Sequence, residues 1–222
     1  MVDPGSRDDV WVANLAVEFP GANVLGKDDE VDPGEVDVVV TWQHPTDRIL
    51  SYSNLQVIAL ASAGFDHIAP ELFDHAPVVR LIDPAMADDI ALYCLAWIIR
   101  FQRDFDVFER NAAVPKWRKT RSRFPQDLTV GVLGSGAIGT VLLDTIGGHG
   151  YNTVGWSRSN HDRSQLQFFA DCDVVVSLLP YSEATHEAVR AEQFEALGDG
   201  VFINVGRGAT VDDNALLTAL DG

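Results

Sequence analysis

The stretch TVGVLGSGAIG, Thr129 to Gly139, constrains the fold of this chain more than any other part of the sequence. It opens with alternating apolar residues typical of a short buried strand, breaks into a glycine-rich turn, and continues with helical spacing from Thr140 to Ile146. A strand, a glycine turn and a helix in this order are the context in which G-x-G-x-x-G predicts a dinucleotide-binding site. The alternative interpretation is a glycine-rich turn in an unrelated α/β domain.

Each glycine of the motif has an expected role. Gly134 permits the tight turn, Gly136 lets the backbone approach a pyrophosphate, and Gly139 lets the helix pack closely against the strand. The amides at the start of the helix then face the phosphates. The predicted cofactor loop consists of Gly134, Ser135, Gly136, Ala137, Ile138 and Gly139.

Strand and helix patterns alternate through the rest of the chain. Strands are predicted at Val36–Thr41, Leu55–Ala59, Val78–Ile82, Thr153–Trp156, Asp173–Leu178 and Val201–Val205, with helices at Ser164–Ala170, Ala188–Leu197 and Asp212–Ala219 among them. Strands separated by helices at this spacing indicate parallel sheets with helices on both faces. A boundary near Ile82 to Ala85 predicts two domains, residues 1–84 and residues 85–222.

Four further expectations concern the first half of the chain. Met1 to Asp9 is expected to be irregular because Pro4 and Gly5 interrupt it, and a helix is expected from Val10 to Phe19. Asn23 to Leu25 is expected to form a short strand. A long helix is expected from Met86 to about Glu109, with Asp83-Pro84 as its N-cap and first position.

The formal net charge of −17 excludes several classes of partner. Twenty-four of the 33 acidic residues are Asp, and only three of the 16 basic residues are Lys. Such a surface repels nucleic acid and anionic membranes. It fits either a high-salt cytoplasm, where salt screens the repulsion, or an ordinary acidic enzyme encoded by a GC-rich genome. Two isolated cysteines and no signal peptide or spanning segment indicate a cytoplasmic protein.

The end of the second strand of the cofactor domain bears on the choice of dinucleotide. An acidic residue about 20 positions beyond the motif binds the ribose 2′-hydroxyl of NAD, whereas an Arg there accommodates a 2′-phosphate. This chain has Ser157-Arg158-Ser159 there, and no Asp or Glu follows Ser157 until Asp162. The sequence therefore favours NADP(H) as the cofactor, with NAD(H) as the alternative. If the segment has no part in binding, it is a solvated surface loop.

Arg207 is the candidate substrate-binding residue, because it follows the fourth strand between Gly206 and Gly208. Ligands of open parallel sheets bind outside the carboxyl ends of the strands. A guanidinium there is able to grip a carboxylate with two hydrogen bonds and to polarise a neighbouring carbonyl. The alternative is that Arg207 forms an ion pair on the protein surface.

Together these stretches resemble the D-2-hydroxyacid dehydrogenase family, and most closely its glyoxylate/hydroxypyruvate reductase A branch. The resemblance covers nearly the whole chain. It is carried, in chain order, by ASAGFDHI (61–68), DPAMADDIALYCLAWIIRFQRDFD (83–106), TVGVLGSGAIG, VGWSRS, DVVVSLLPYSEAT (173–185) and GVFINVGRGATVDDNALLTAL (200–220).

The resemblance implies a fold, an activity and a set of roles. The fold is a Rossmann-type doubly wound parallel sheet preceded by a smaller flavodoxin-like α/β substrate domain. The activity is NADPH-dependent reduction of a small 2-oxo acid by a homodimer that uses the long helix at its interface. For the substrate, the resemblance implies that the amides of Ala63 and Gly64 bind the carboxylate, that Arg207 binds the carboxylate and the keto oxygen, and that Trp42 forms a wall of the pocket. For the cofactor, it implies that Leu179, Pro180 and Thr185 line the binding site and that Val205 and Gly206 lie near the nicotinamide.

The departures from the family pattern define an alternative. The family's proton donor is a His assisted by a Glu, both after the arginine motif, and no His follows Arg207 in this sequence. The chain is therefore expected to be a fragment, truncated at its C-terminus, without useful turnover. The second hypothesis is a non-catalytic NAD(P)-binding sensor or corepressor-like module with the same fold.

Overall fold

The computed structural model describes residues 1–5, 8–114, 117, 120, 123–159 and 162–221. The chain divides into two compact units, Met1–Asp83 (unit 1) and Pro84–Gly222 (unit 2). No helix in the described ranges combines the length and the apolar character that a membrane span requires.

Unit 1 is a parallel sheet flanked by short helices. Its strands are β1 (Val2–Asp3), β2 (Val38–Thr41), β3 (Val57–Leu60) and β4 (Val78–Arg80), in the spatial order β1-β2-β3-β4. Its helices are α1 (Asp8–Glu18), α2 (Thr46–Ser51) and α3 (Leu72–His75). One parallel bridge joins Val2 to Gly26 on the side of β1 away from β2. With that bridge the order becomes that of a flavodoxin-like sheet, 2-1-3-4-5.

The start of unit 1 corrects two sequence expectations. Residues 2 and 3 form a strand rather than irregular chain, because the Val40 amide donates to the Met1 carbonyl at 2.8 Å and Met1 and Val2 are buried. Asn23 to Leu25 does not form a strand, and only Gly26 makes a bridge. The short helices α2 and α3 were not predicted, since four to six residues are too few to show a helical period.

Unit 2 is built on a second parallel sheet. Its strands are β5 (Thr129–Leu133), β6 (Asn152–Trp156), β7 (Val174–Ser177) and β8 (Val201–Asn204), in the order β6-β5-β7-β8. Its helices are α4 (Pro84–Gln102), α5 (Phe105–Ala112), α6 (Ala137–Gly148), α7 (Gln165–Ala170), α8 (Ala191–Leu197) and α9 (Asp213–Asp221).

Two apolar cores cover the two faces of this sheet. On one face α4 and α6 pack on Val130, Val132 and Val176 of the strands. On the other face α7 and α8 pack on Leu133 and Val175. Adjacent strand residues thus point to opposite cores, as expected of a parallel strand buried on both sides. The predicted α/β class with a Rossmann-type sheet is confirmed.

The prediction of one continuous helix from Met86 to about Glu109 is wrong, because the helix is interrupted at residues 103 and 104. The helix ends at Gln102, and α5 begins at Phe105 after Asp104 adopts a left-handed conformation with φ of 52°. Arg123 holds this break, because its guanidinium donates to the Asp104 carboxylate at 2.7 Å and to the Phe101 carbonyl at 2.9 Å. The partner lies 19 residues away from Asp104, so helical spacing alone does not reveal the break.

Candidate cofactor and substrate site

The glycine loop after β5 has the geometry that the motif predicts. Gly134 has a φ of 106°, and its amide donates to the Trp156 carbonyl at 2.8 Å, which ties the turn to β6. A Cβ on Gly139 would lie 2.2 Å from the Gly134 carbonyl oxygen, so only glycine allows α6 to pack this closely on β5. A Cβ on Gly136 would meet no atom within 4 Å. The backbone at Gly136 is therefore open to solvent, whereas Gly139 is packed tightly against the turn.

The loop lies at the point where the order of the strands reverses. β5 pairs with β6 on one side and with β7 on the other, so the connection from β6 to β7 crosses over β5. A crevice at the carboxyl ends of the strands is expected at such a switch point, and ligands of open α/β sheets bind there.

Three loops meet at this edge of the sheet. A Cβ on Gly134 would lie 3.3 Å from the Leu178 carbonyl carbon, and one on Gly206 would lie 2.6 Å from the Leu179 carbonyl oxygen. The loops after β5, β7 and β8 are therefore in backbone contact. The predicted residues Leu179, Val205 and Gly206 lie in these loops, Leu179 buried and the other two partly buried.

The loop after β7 is closed by Thr185, which is 3% exposed. Its hydroxyl donates to the Pro180 carbonyl at 2.6 Å and accepts from the Ser182 amide at 2.7 Å. The Ser182 hydroxyl lies 2.9 Å from the same oxygen. Pro180 is exposed, whereas the Thr185 side chain is used to fix the loop.

Arg158 lies exposed at the carboxyl end of β6. Its Nη1 donates to the carbonyl of Ala184, in the loop after β7, at 3.3 Å. Ser157 and Ser159 flank it with their hydroxyls 3.5 Å apart. Arg158 forms no ion pair with a carboxylate in the described ranges, whereas Arg163 pairs with both Asp162 and Asp171.

The loop after β8 positions Arg207. Two side chains fix its backbone: Asn204 accepts from the Gly206 amide at 3.1 Å, and Thr210 donates to the Arg207 carbonyl at 2.6 Å. Nη1 of Arg207 donates to the Gly206 carbonyl at 3.2 Å. Asn204 and Thr210 were assigned no role from the sequence, although each lies within three residues of Arg207.

The other candidate substrate residues lie in unit 1. Trp42 follows β2 and is 47% exposed. Ala63 and Gly64 follow β3, where the Ser62 hydroxyl donates to the Gly64 carbonyl at 2.7 Å and Arg80 donates to the Ala63 carbonyl at 3.1 Å. Both carbonyls are thus hydrogen-bonded within unit 1, that of Gly64 inside the loop and that of Ala63 to β4. Neither amide donates a hydrogen bond to another described residue, which leaves both N–H groups available to a ligand.

Sequence analysis missed a buried polar network beside Trp42. His44 is enclosed between Asp3, whose Oδ2 lies 3.0 Å from Nδ1, and Tyr52, whose hydroxyl lies 3.2 Å from Nε2. The His44 amide donates to Thr41 Oγ1 at 2.8 Å. Burial lowers the pKa of His44, and the hydrogen bond to Asp3 opposes this only in part. A neutral imidazole that donates from Nδ1 to Asp3 and accepts at Nε2 from Tyr52 satisfies all three groups.

The remaining reactive groups of the described residues do not form a second centre. Burial raises the pKa of Cys94 to about 11 and that of Cys172 to about 12, so both thiols stay protonated at neutral pH. No group of three or more metal-ligating side chains occurs among the described residues. His161 lies outside the described residues, and the absence of a metal-ligating group does not extend to it.

A dinucleotide fits the residues at this edge of the sheet. The exposed backbone at Gly136 begins α6, whose first amides have no partner in the preceding turn of the helix. The space around Gly136 is open, since a Cβ there would meet no atom within 4 Å. The guanidinium of Arg158 lies at the next strand, where an adenosine ribose is recognised in this fold.

Comparison with known proteins is consistent with this geometry. The family profile described as "D-isomer specific 2-hydroxyacid dehydrogenase, NAD binding domain" matches residues 95–222. A glyoxylate/hydroxypyruvate reductase A of Serratia proteamaculans is 27% identical over 232 residues, covering 95% of this chain and 73% of the relative.

Solved structures extend the likeness to unit 1. An NADPH-dependent glyoxylate/hydroxypyruvate reductase of Sinorhizobium meliloti, in complex with NADP and sulfate, is 28% identical with a TM-score of 0.90. A D-isomer specific 2-hydroxyacid dehydrogenase of Xanthobacter autotrophicus Py2, in complex with NADPH and MES, is 29% identical with a TM-score of 0.87. Each match covers 99% of this chain and 76% of the other.

Proposed function

The chain belongs to the D-isomer specific 2-hydroxyacid dehydrogenase family, and from this membership we propose that it is an NADPH-preferring reductase of small 2-oxo acids of the glyoxylate and hydroxypyruvate type. The observation that carries the proposal is the contact between the loops after β5, β7 and β8, which brings the open backbone of Gly136 and the Arg207 loop to one edge of the sheet. The relatives with NADP or NADPH bound support the choice of cofactor.

The roles are assigned to residues of each unit separately. In unit 2, the loop from Gly134 to Gly139 binds the pyrophosphate, Leu179, Pro180, Val205 and Gly206 line the cofactor, and Arg207 binds the substrate carboxylate and polarises the keto group. In unit 1, the Ala63 and Gly64 amides donate hydrogen bonds to the substrate carboxylate, and Trp42 forms an apolar wall of the substrate pocket. The nicotinamide supplies the hydride.

Proton delivery to the keto oxygen is not assigned to these residues. A guanidinium does not release its proton in proteins, so Arg207 is assigned to binding and not to proton transfer. In unit 2, His149 follows α6, with Nδ1 2.8 Å from the Thr145 carbonyl oxygen, at the amino end of β6 and away from the carboxyl-end loops. His186 is in the loop after β7, half exposed and 3.9 Å from Glu187. We propose that neither supplies the proton.

The exposed side of α4 is proposed to form a homodimer interface. Leu92, Tyr93 and Trp97 are 45–59% exposed on this helix. Large apolar side chains grouped on one surface are typical of association sites.

The test is an NADPH oxidation assay with glyoxylate and hydroxypyruvate. It compares the 222-residue chain with a version extended at its C-terminus by the corresponding segment of a relative. We expect the extended version to be faster by about 10²-fold or more, the typical contribution of a placed general acid. Arg207→Lys in the extended version should raise KM and lower kcat, because the bidentate grip on the carboxylate is lost.

Two outcomes would change the proposal. Equal rates for the two versions would mean that the proton donor lies within residues 1–222. Tight NADPH binding with no turnover of either 2-oxo acid by the extended version would favour the sensor or corepressor-like module.

A further inference from the structure

The loop after β7 contacts the residue proposed to select the cofactor. Arg158 follows β6, and the Ala184 carbonyl that it binds at 3.3 Å lies 26 residues later in the chain. This is the one hydrogen bond recorded for the Arg158 side chain in the described ranges. It engages one of the two terminal nitrogens, so Nη2 and Nε keep their donors for another ligand.

The position of that carbonyl depends on a buried hydroxyl. Thr185 is the residue after Ala184, and its Oγ1 closes the loop by bonding to the Pro180 carbonyl and the Ser182 amide, at 2.6 and 2.7 Å. Ala184 itself is exposed and has no side chain able to hold its peptide group in place. The peptide group between Ala184 and Thr185 is held by its N–H, which donates to the Ser182 carbonyl at 2.9 Å. The Thr185 hydroxyl supports this turn from the other side, because it fixes the Ser182 amide and the Pro180 carbonyl.

An arginine at this site needs such a restraint. An exposed Arg side chain loses considerable rotamer freedom when it binds a ligand, which weakens binding. The surrounding sequence is also rich in carboxylates that compete for a guanidinium, as Asp162 and Asp171 do for Arg163. A neutral carbonyl partner orients the guanidinium without neutralising its charge.

We propose that Thr185 is a positioning residue for cofactor selectivity: through the Ala184 carbonyl it pre-orients Arg158 toward a phosphate monoester on the ribose of the cofactor. The inference rests on the proposed use of NADPH and deepens it. Thr185 then favours NADPH over NADH without contacting the phosphate, since both cofactors share every other group.

The experiment measures binding of NADPH and NADH by fluorescence titration to four variants of the 222-residue chain. Arg158→Ala should weaken NADPH binding about 10- to 100-fold and leave NADH binding little changed. Thr185→Val, which keeps the shape but removes the hydroxyl, should lower the NADPH preference about three- to tenfold. Thr185→Ser should restore the preference. Arg190→Ala is the matched control, because it removes another exposed arginine that donates to a backbone carbonyl, that of Glu187 at 2.7 Å.

The double variant Arg158→Ala/Thr185→Val separates positioning from a general effect on folding. If Thr185 acts through Arg158, its substitution should cause no further loss of NADPH preference once Arg158 is absent. Equal losses for NADPH and NADH in Thr185→Val, or a full additional loss of preference in the double variant, would overturn the inference. If Arg158→Ala itself does not change the preference, the proposed choice of NADPH fails instead.

Binding of 2′,5′-ADP and of 5′-AMP to the same variants provides a second measurement. These fragments differ only in the 2′-phosphate, and neither reaches the nicotinamide end of the site. Thr185→Val should weaken 2′,5′-ADP and spare 5′-AMP. A loss for both fragments would show that Thr185 maintains the loop as a whole and does not select the phosphate.

Discussion

The loop after β5 and the turn after β2 hold equivalent places at the carboxyl ends of parallel strands, but different interactions fix them. The loop after β5 is held by backbone packing: Gly139 lies against the Gly134 carbonyl, and Gly134 bonds to the Trp156 carbonyl. The turn after β2 is held by side chains, since His44 is enclosed by Asp3 and Tyr52. The first arrangement tolerates no added atom at Gly139, and the second tolerates no change of protonation at His44.

This difference gives each region its own vulnerability. An added side chain at Gly139 should destabilise the glycine loop at any pH, because the close packing there involves no titrating group. The turn after β2 should be insensitive to small steric changes on its exposed side, where Trp42 lies, but sensitive to acid.

The largest expected effect is that of Gly139→Ala. The added Cβ would lie 2.2 Å from the Gly134 oxygen and 3.1 Å from its carbon, so α6 must shift away from β5. We expect a loss of about 3 kcal/mol in the free energy of unfolding, at the upper end of the usual cost of overpacking. Urea denaturation followed by circular dichroism measures it. Gly136→Ala is the control, because its Cβ meets no atom within 4 Å and its φ of −80° suits alanine. Equal losses for both variants would refute the difference in packing.

Acid should destabilise unit 1 through His44. Its pKa is lowered in the folded protein, mainly by burial, with smaller contributions from Arg48 and the N-terminus against the opposing effect of Asp3. The unfolded chain therefore takes up the proton more readily, near pH 6.5. The contribution to stability is present above that pH and is lost as the pH falls, with a slope of at most about 1.4 kcal/mol per pH unit for one proton.

The measurement is the free energy of unfolding between pH 8 and pH 5 for the parent chain and for His44→Gln. The substitution removes the titrating group and should flatten the part of the curve that His44 contributes. The same curve in both proteins would show that the buried network does not carry the acid sensitivity.

The smallest expected effect is that of salt. At a net charge of −17, self-repulsion should be screened by molar KCl, which raises the melting temperature of a protein with excess surface charge. The gain is offset in part because salt also weakens exposed ion pairs such as Lys27–Asp28. A flat or falling melting temperature from low to molar KCl would contradict a high-salt adaptation. Neither the glycine loop nor the buried His44 should respond to salt directly.

The two regions also differ in how well the sequence predicts them. The loop from Gly134 to Gly139 was predictable because its requirements are local: a turn, an open backbone and a close approach, all within six residues. The network around His44 was not, because Asp3 is 41 positions away and Tyr52 eight. The strand β1 was missed for a related reason, since two residues show no periodicity and the pairing with β2 creates the strand.

The candidate site shows the same limit. Ser157, Arg158 and Arg207 were identified by their position after predicted strands, which topology alone supplies. The hydrogen bonds that orient them were not identified. Asn204 and Thr210 are close to Arg207 in sequence, but a side chain that fixes a loop has no pattern that distinguishes it from a solvated polar residue.

The central claim is that the open backbone at Gly136 receives the cofactor pyrophosphate, and Gly136→Val tests it most directly. The valine side chain would occupy solvent-exposed space with no protein atom within 4 Å of its Cβ, so the free energy of unfolding should change by less than about 1 kcal/mol. The affinity for NADPH, measured by fluorescence titration, should fall more than about tenfold, since the phosphates lose their close approach to the backbone. An unchanged melting curve with unchanged NADPH affinity would contradict the account.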